Sequence, residues 1–480
     1  MRTRRGGRGW MGRTGGKGSM GWTGWMGRMG RIGTMLLVAL ALAARVSAAD
    51  PADPAYPAPP ASPADPAHAA PPAPSSPQVS FEAAINDLAS PDAGTRLRAA
   101  QLLKQAAYPE AAVPLAAVVT DPQDDVQLAA IGAELNIFLA EPVVPKKRVA
   151  IVVEVRNPVQ AEAAFSAGPN ALGARPVPAE VLTALRTAAR DENPRVAIEA
   201  LYAFAVVAIQ PGGVARRDLL RVAGPDIAAF IGSSDPAMRY AAVRVLGRVF
   251  ARRAKDEAIE STVGDALITA LNDNDRAVKA EAMRALGAIR YDRGIQALTD
   301  LFTYYGKGAP AEAALDALAR IANAASVPLF TAQLASKAAP LRRSAIEGLA
   351  RVGDPSQLTA IQAVIDKERE ATVNLAGAFA SVMLGNAATD LVSDSLIRPR
   401  VREQAKQYLV EIAPGRTTTF SHQLLDSDPQ IRVDVIDALG LAGDPAAIAV
   451  IDRLSQDPDP QVALAAERAL VRLRAQSPPR

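Results

Sequence analysis

The chain has 480 residues, of which 49% are hydrophobic and 21% charged, with no cysteine and two histidines. The lack of cysteine excludes disulfides, thiolate nucleophiles and cysteine-based zinc sites. The charges behind the net +3 are unevenly distributed along the chain. Residues 1–49 carry nine basic residues and no acidic one, whereas residues 50–480 carry 44 basic and 50 acidic residues. This acidic balance, with only 4% aromatic residues, argues against a nucleic-acid partner.

Residues 1–49 have the organisation of a secretory signal peptide. An apolar run from Met35 to Ala44 follows basic residues and precedes small residues. The run is too short for a transmembrane helix, which takes about 20 residues. We therefore expect cleavage near Ala48 or Ala49, a periplasmic or secreted location, and no membrane span in the mature protein. Translation has four alternative starts, at Met1, Met20, Met26 and Met29.

A proline- and alanine-rich segment follows, over residues 50–80. Proline and alanine make up 11 and 9 of its 31 residues. Proline blocks helices and sheet ladders, so the composition predicts a disordered, extended spacer. His68 lies in this spacer without a neighbouring ligand residue, which predicts a solvated side chain. Residues 476–480 are expected to be a disordered tail.

Residues 81–475 repeat with a period near 31 residues, broken by one gap of 70. We align the copies on the residue before the basic position of the repeat and call this residue the anchor. Alanine stands four residues after the anchor in ten of eleven copies, and leucine stands eight residues after it in eight of eleven. These offsets mark one stripe of an α-helix. The anchors are Thr95, Val126, Val196, Met238, Val278, Pro310, Leu341, Thr372, Val401, Ile431 and Val462.

Each copy also contains an earlier amphipathic segment, such as Leu358–Ile365 or Ile448–Leu454. A unit is therefore a pair of helices, and neither helix can bury its apolar stripe alone. Stacking of units buries the stripes, so the sequence predicts an all-α fold, a right-handed α-solenoid of about eleven helical hairpins.

The turns between helices carry Asp-Pro pairs, as at Asp235 and Asp428. An aspartate before a proline at the first helical position is typical of a helix N-cap. The spacing also predicts i,i+4 ion pairs. These predicted pairs are Asp235 with Arg239, Asp275 with Lys279, and Asp428 with Arg432.

The stretch from Asp235 to Gly247, with Asp-Pro-Ala-Met-Arg, then Ala242, then Leu246, resembles HEAT repeats of the short type named after the phycobilisome lyases. The resemblance covers residues 81–475 and implies a scaffold that binds proteins, although the family includes a few enzymes. Deoxyhypusine hydroxylase-like members bind iron through paired His-Glu motifs, whereas neither His68 nor His422 precedes a glutamate. We therefore expect no metal, cofactor or catalytic site.

A polar row lies six residues after the anchors, on the side of each second helix away from the alanine stripe. Because second helices line the inner surface of HEAT-like arrays, the row is expected to face a concave groove that binds protein partners. Its charges change from basic to acidic along the array, and the alternative is a row kept polar for solubility. The residues are Arg244, Arg284, Asp316, Glu347, Gln407, Asp437 and Arg468.

The long gap contains an insertion at about residues 141–178. It includes the basic run Lys146–Arg148 and the apolar run Val149–Val155, which is either a strand or a helix extension. Such an insertion either binds a partner or caps the array. Tyr304 and Tyr305 form a second candidate contact point, with helix capping as the alternative.

These observations predict a non-catalytic exported scaffold that binds protein partners along its concave groove. Two alternatives are an enzyme of the lyase or isomerase type on the same fold and a structural component of an envelope assembly. The partner, the pathway and the oligomeric state are open at this point.

Overall fold

The computed structural model describes residues 80–139, 160–168, 172–173, 175–208, 214–251, 259–385 and 387–476, all within one unit, Pro77–Arg480. The predicted leader and most of the spacer lie outside the described residues. Ser80, assigned to the spacer, starts the array, because its hydroxyl oxygen accepts a hydrogen bond from the N–H of Ala83 at 3.2 Å. At the other end, Gln476 is the last residue of the final helix.

The described residues form a series of α-helices joined by turns and short 3₁₀ helices. In chain order the helices are α1 (Phe81–Asp87), α2 (Ala93–Ala106), α3 (Ala112–Ala116), α4 (Asp124–Phe138), α5 (Gln160–Ala167), α6 (Ala179–Ala188), α7 (Pro194–Ala208), α8 (Val214–Ala229), α9 (Pro236–Val249), α10 (Ser261–Ala270), α11 (Arg276–Ile289), α12 (Ile295–Tyr305), α13 (Ala309–Ile321), α14 (Val327–Gln333), α15 (Ala339–Val352), α16 (Leu358–Ile365), α17 (Ala371–Gly385), α18 (Asp390–Ser393), α19 (Arg402–Ile412), α20 (Pro429–Ala442), α21 (Ile448–Ile451) and α22 (Pro460–Gln476).

Short 3₁₀ helices complete several hairpins. They are Pro109–Ala111, Phe230–Gly232, Asp292–Gly294, Ala324–Ser326, Pro355–Gln357, Asp394–Ile397, Thr417–Phe420, Gln423–Leu425, Pro445–Ala447 and Asp452–Gln456. Among the described residues the second helices number eleven, one beginning near each anchor: α2, α4, α7, α9, α11, α13, α15, α17, α19, α20 and α22. The protein is an all-α solenoid, as the repeat pattern predicts.

The apolar seam lies where the alanine and leucine offsets place it. Every residue four positions after an anchor, from Ala99 to Ala466, is at most 1% exposed. Small residues let neighbouring second helices come close together. A Cβ atom added to Gly247 on α9 would lie 2.7 Å from the Cβ of Ala285 on α11. The same close approach recurs between Gly287 and Ala317, so successive second helices pack almost backbone to backbone.

The Asp-Pro caps are confirmed, but the predicted i,i+4 ion pairs are wrong. Asp235 accepts the N–H of Ala237 at 2.9 Å. Arg239 instead pairs with Asp273 of the next hairpin, through Nε at 2.7 Å and Nη2 at 2.9 Å. Its Nη1 donates to the carbonyl of Ser233 at 3.0 Å. Asp235, which was expected to pair with Arg239, accepts a backbone N–H group instead, and Arg239 pairs with a carboxylate of the neighbouring repeat.

The same contact links other hairpins into a ladder. Further arginine–carboxylate pairs of this kind are Arg96–Asp121 at 2.6 Å, Arg342–Glu368 at 2.7 Å and Arg432–Asp457 at 2.8 Å. No ion pair joins Asp275 to Lys279, both of which the structure describes, and Asp428 lies 3.8 Å from Arg402. Each ladder pair therefore joins two repeats, which a pair within one helix does not do.

The insertion contributes one described helix, α5, which packs on α7. Ala161 and Ala164 are fully buried, and Phe165 is 3% exposed. The carboxylate of Glu199 on α7 accepts the N–H of Ala161 at 2.8 Å. The runs at residues 146–148 and 149–155 lie outside the described residues. Where the chain is described, the one β contact is an isolated antiparallel bridge between Leu139 and Leu172.

None of the helices over the described ranges combines the length and the apolar character that crossing a membrane requires.

Candidate binding surface

The predicted polar row lies on seven second helices, in different surroundings. Arg284 and Gln407 are exposed, Glu347 is buried, and the rest are half-buried. Several row residues form ion pairs within the array. Asp316 pairs with Arg320 at 2.9 Å, and Asp437 lies 3.7 Å from Arg468. The row therefore mixes open positions with positions that are occupied by neighbouring side chains.

Glu347 belongs to a buried polar network that joins α15 to α19. The hydroxyl of Tyr408 donates to Glu347 at 2.6 Å. Arg351 binds Glu411 in a bidentate pair at 2.8 and 2.9 Å and donates to Glu347 at 3.2 Å. Burial, followed by the charge of Glu347, raises the pKa of Tyr408 well above its usual value. The network links second helices on either side of α17, so at this point the row stabilises the array.

At Arg244 and Arg284 the row borders an open pocket of about 270 Å³, which we call the basic pocket. One wall is the C-terminal turn of α5, and the other walls are α9 and α11. Small side chains keep the space open. The lining residues are Phe165, Ser166, Arg244, Gly247, Arg248, Glu281, Arg284, Ala285 and Ala288.

Arg244 fastens the insertion helix to the array. Its Nη1 donates to Glu162 and its Nη2 to the hydroxyl of Ser166, each at 2.8 Å. The guanidinium carbon lies 5.1 Å from the centre of the Phe165 ring. Phe165 in turn packs on Tyr202 of α7, with ring centroids 5.2 Å apart. Arg244 is therefore committed to holding α5 in place.

Arg248, one helical turn further along α9, has a different environment. Its guanidinium carbon lies 4.1 Å from the centre of the Phe165 ring, and the group also donates to the carbonyl oxygen of Phe165. No carboxylate among the described residues pairs with it. Burial, and then the charge of Arg244, lowers the pKa of Arg248 to about 10. The side chain is thus a half-buried cation at neutral pH, held by an aromatic face and one carbonyl.

Arg284 forms the outer edge of the basic pocket. Its side chain is 59% exposed and pairs with Glu281, one turn earlier on α11. Arg284 was predicted as a site residue from its offset, whereas Arg248, Phe165 and Ser166 were not. Arg248 lies four residues after Arg244 on the same helix, which is the one sequence signal that points to it.

The second candidate contact point has an open position. Tyr304 is 81% exposed and packs edge-to-face on Tyr305, with ring centroids 5.1 Å apart. Gly306 ends α12 with a φ of 65°, and its N–H donates to the carbonyl of Phe302. The tyrosines therefore lie at a helix C-terminus. This position is compatible with a partner contact and with helix capping, the two interpretations of the sequence.

The described residues contain no group of three or more His, Asp or Glu side chains arranged to hold a metal ion. In the turn before α11, Asp275 is the helix N-cap and Asp273 stabilises the turn. Asp275 accepts the N–H groups of Ala277 and Val278, at 2.7 and 3.2 Å. Asp273 accepts the N–H of Asp275 at 2.8 Å while it pairs with Arg239. Their oxygens are therefore engaged by the fold.

Comparison with known proteins agrees with the repeat architecture. A family model described as HEAT repeats matches residues 225–304, which contain α9 and α11. No curated protein matches the chain. The chain is similar to the solved structure of an engineered protein, at 20% identity and a TM-score of 0.40 over 82% of this chain and 98% of that chain.

Two further solved structures are also similar. The CpcE–CpcF complex of phycocyanin lyase from Nostoc sp. PCC7120 shares 20% identity, with a TM-score of 0.31 over 51% of this chain and 94% of that chain. A designed armadillo repeat protein shares 19% identity, with a TM-score of 0.34 over 57% of this chain and 100% of that chain.

Proposed function

We propose that the protein is a non-catalytic scaffold that binds a partner protein on its second-helix face, with Arg284 at the centre of the contact. The observation that carries the proposal is the position of Arg284, an exposed guanidinium group on a helix whose opposite face is fully buried. Its neighbour Ala288 is small, and the basic pocket opens beside it. Exposed arginine on a rigid element, next to a concave surface, is a favourable anchor for a partner.

Site-specific photocrosslinking tests this proposal. A photoreactive amino acid at position 288 or 407, which leaves Arg284 in place, is expected to crosslink to one partner in cells, because Ala288 lines the basic pocket and Gln407 is exposed on a second helix. The matched control is position 296, where Gln296 is exposed on the first helix α12. Crosslinks of equal yield from positions 288 and 296 would refute a binding surface on the second helices.

Charge reversal at the same place adds a quantitative test. Arg284→Glu is expected to weaken binding of the crosslinked partner by about tenfold or more, since one desolvated charge contact contributes about 1.5–3 kcal/mol. Arg276→Glu is the matched control, because Arg276 is exposed on the same helix and does not line the basic pocket. Equal effects of the two reversals would assign the loss to net charge alone.

We further propose that the scaffold acts after export from the cytoplasm. The proposal is supported by the apolar run at residues 35–44 and the small residues that follow it. N-terminal sequencing of the mature protein is expected to begin at Ala49 or Asp50. Because Trp10, Trp22 and Trp25 all precede that point, the mature protein is also expected to lack tryptophan fluorescence. An intact leader on a cytoplasmic pool would contradict export.

A further inference from the structure

We propose that the basic pocket binds one carboxylate side chain of the partner, with Arg248 and Arg284 as its two ligands. The inference deepens the proposed function and depends on it. It names a single acidic residue, aspartate or glutamate, as the group that enters between α5, α9 and α11.

The charged groups of the pocket leave one positive charge without a carboxylate partner among the described residues. Three guanidinium groups line it, and two carboxylates lie beside them. Glu162 pairs with Arg244 and Glu281 pairs with Arg284, which leaves the charge of Arg248 without a carboxylate among the described residues. A half-buried cation without a counterion is unfavourable, and because Arg248 is already partly desolvated, an incoming carboxylate gains a charge partner with little further desolvation of the arginine.

The geometry favours a planar anion. The Arg248 guanidinium carbon lies over the Phe165 ring, 4.1 Å from its centre. Nη1 of Arg248 donates to the carbonyl oxygen of Phe165, so the remaining N–H groups are the donors for a carboxylate, which a guanidinium group binds in a bidentate manner. The hydroxyl of Ser166 also lines the space, and the volume of about 270 Å³ suits one side chain.

Glu281 disfavours an anion of higher charge than a carboxylate. It lines the same pocket, so a phosphate group with close to two negative charges would meet a carboxylate at short range. The charge of a phosphate group would also exceed the single positive charge of Arg248, which is the one that no described carboxylate pairs with. The pocket is therefore matched to a monoanion, which is the charge of one carboxylate at neutral pH.

The insertion helix is part of this site. Phe165 and Ser166 both belong to α5, and Arg244 ties that helix to α9 through Glu162. The carboxylate site therefore exists only while the insertion is docked on the repeat array. The proposal therefore gives the insertion a role in recognition, which is one of the two alternatives that the sequence left open.

Nuclear magnetic resonance of arginine side chains tests the proposal on the full chain. The probe is the peptide acetyl-Ala-Glu-Ala-amide, added to protein labelled with ¹⁵N-arginine, and the comparison peptide carries Gln in place of Glu. We expect the Nε–Hε signal that disappears in Arg248→Gln to shift on addition of the Glu peptide and to stay unchanged with the Gln peptide. Equal shifts with both peptides, or none, would overturn the proposal.

Two variants guard against a folding defect. Arg284→Gln changes an exposed side chain and is expected to weaken the Glu peptide about tenfold, the loss for one charge-assisted bond. Arg276→Gln should leave the affinity unchanged. If Arg284→Gln binds the peptide as wild type does, Arg284 is not a ligand and the two-arginine site is wrong.

Two further measurements identify the class of ligand and distinguish failure of the carboxylate inference from failure of the scaffold proposal. Inorganic phosphate at equal ionic strength is expected to shift the Arg248 signal less than the Glu peptide, and a larger shift would overturn the assignment to a carboxylate. Crosslinking at position 407, which lies outside the pocket lining, is measured independently. If it succeeds while the peptide fails, the carboxylate inference is wrong and the scaffold proposal stands. If it fails while the peptide binds, the pocket accepts a carboxylate, but the scaffold proposal is wrong, and with it the assignment of that carboxylate to a partner.

Discussion

Replacing Glu134 by methionine is expected to stabilise the protein. Glu134 lies on α4 with no exposed surface, and neither of its carboxyl oxygens has a hydrogen-bond partner. Burial raises its pKa from an ordinary 4.5 to about 9. At pH 7 the folded protein therefore carries a neutral carboxylic acid at this position, and its buried oxygen atoms accept no hydrogen bond from the described residues. Methionine has a similar length and has no such groups to bury.

The magnitude follows from proton linkage. Between pH 4.5 and pH 9 the folded state holds a proton on Glu134 that the unfolded chain releases, so stability falls as the pH rises through this window. Each pH unit corresponds to about 1.4 kcal/mol, so the loss between pH 4.5 and pH 7 is roughly 3 kcal/mol. The unmade hydrogen bonds add about 1–3 kcal/mol at any pH.

Urea unfolding at pH 5 and pH 7.5 measures both contributions. Glu134→Met is expected to raise the free energy of unfolding at both values, by roughly 3 kcal/mol more at pH 7.5 than at pH 5. The control is Glu180→Met on α6, where the side chain is exposed and little change is expected. A gain that is equal at the two pH values, or a loss at pH 7.5, would refute the assignment of a buried, unpaired carboxyl group.

Two further substitutions test the seam and the ladder. Gly287→Ala places a Cβ 2.9 Å from the Cα of Ala317, and we expect a destabilisation of about 1–3 kcal/mol in thermal melts, whereas Gly232→Ala, with open space around it, should be nearly neutral. Arg239→Gln should cost about 1–3 kcal/mol at pH 7. Because pairing with Arg239 lowers the pKa of Asp273, the difference should shrink as the pH falls below 3.8.

The fold could be predicted because its decisive contacts repeat at fixed offsets. Ala282 and Leu286 lie four and eight residues after the same anchor, and both are fully buried. The first helices were less predictable. Ile448–Leu454 was expected as one amphipathic helix, but α21 ends at Ile451 and a 3₁₀ helix follows. A short segment packed on a long helix is shaped by its tertiary partner more than by its own pattern.

The candidate site could be predicted in part, for a related reason. Arg284 was identified because its position repeats, but Arg248 gains its role from Phe165, which lies 83 residues earlier in the chain. Phe165 belongs to the insertion, where the period is interrupted and gives no register. Sequence offsets therefore identify contacts between repeats, and they contain no information on a contact between the array and a segment that does not repeat.

The polar row shows why equal offsets give unequal functions. Arg284 and Glu347 occupy the same position on α11 and α15, yet one is exposed and the other buried. Beside Arg284 stand Ala285 and Ala288, which leave space for the basic pocket. Glu347 instead accepts a hydrogen bond from the hydroxyl of the buried Tyr408. The offset determines which face of the helix a residue occupies, whereas the size of its neighbours determines whether a partner can reach it.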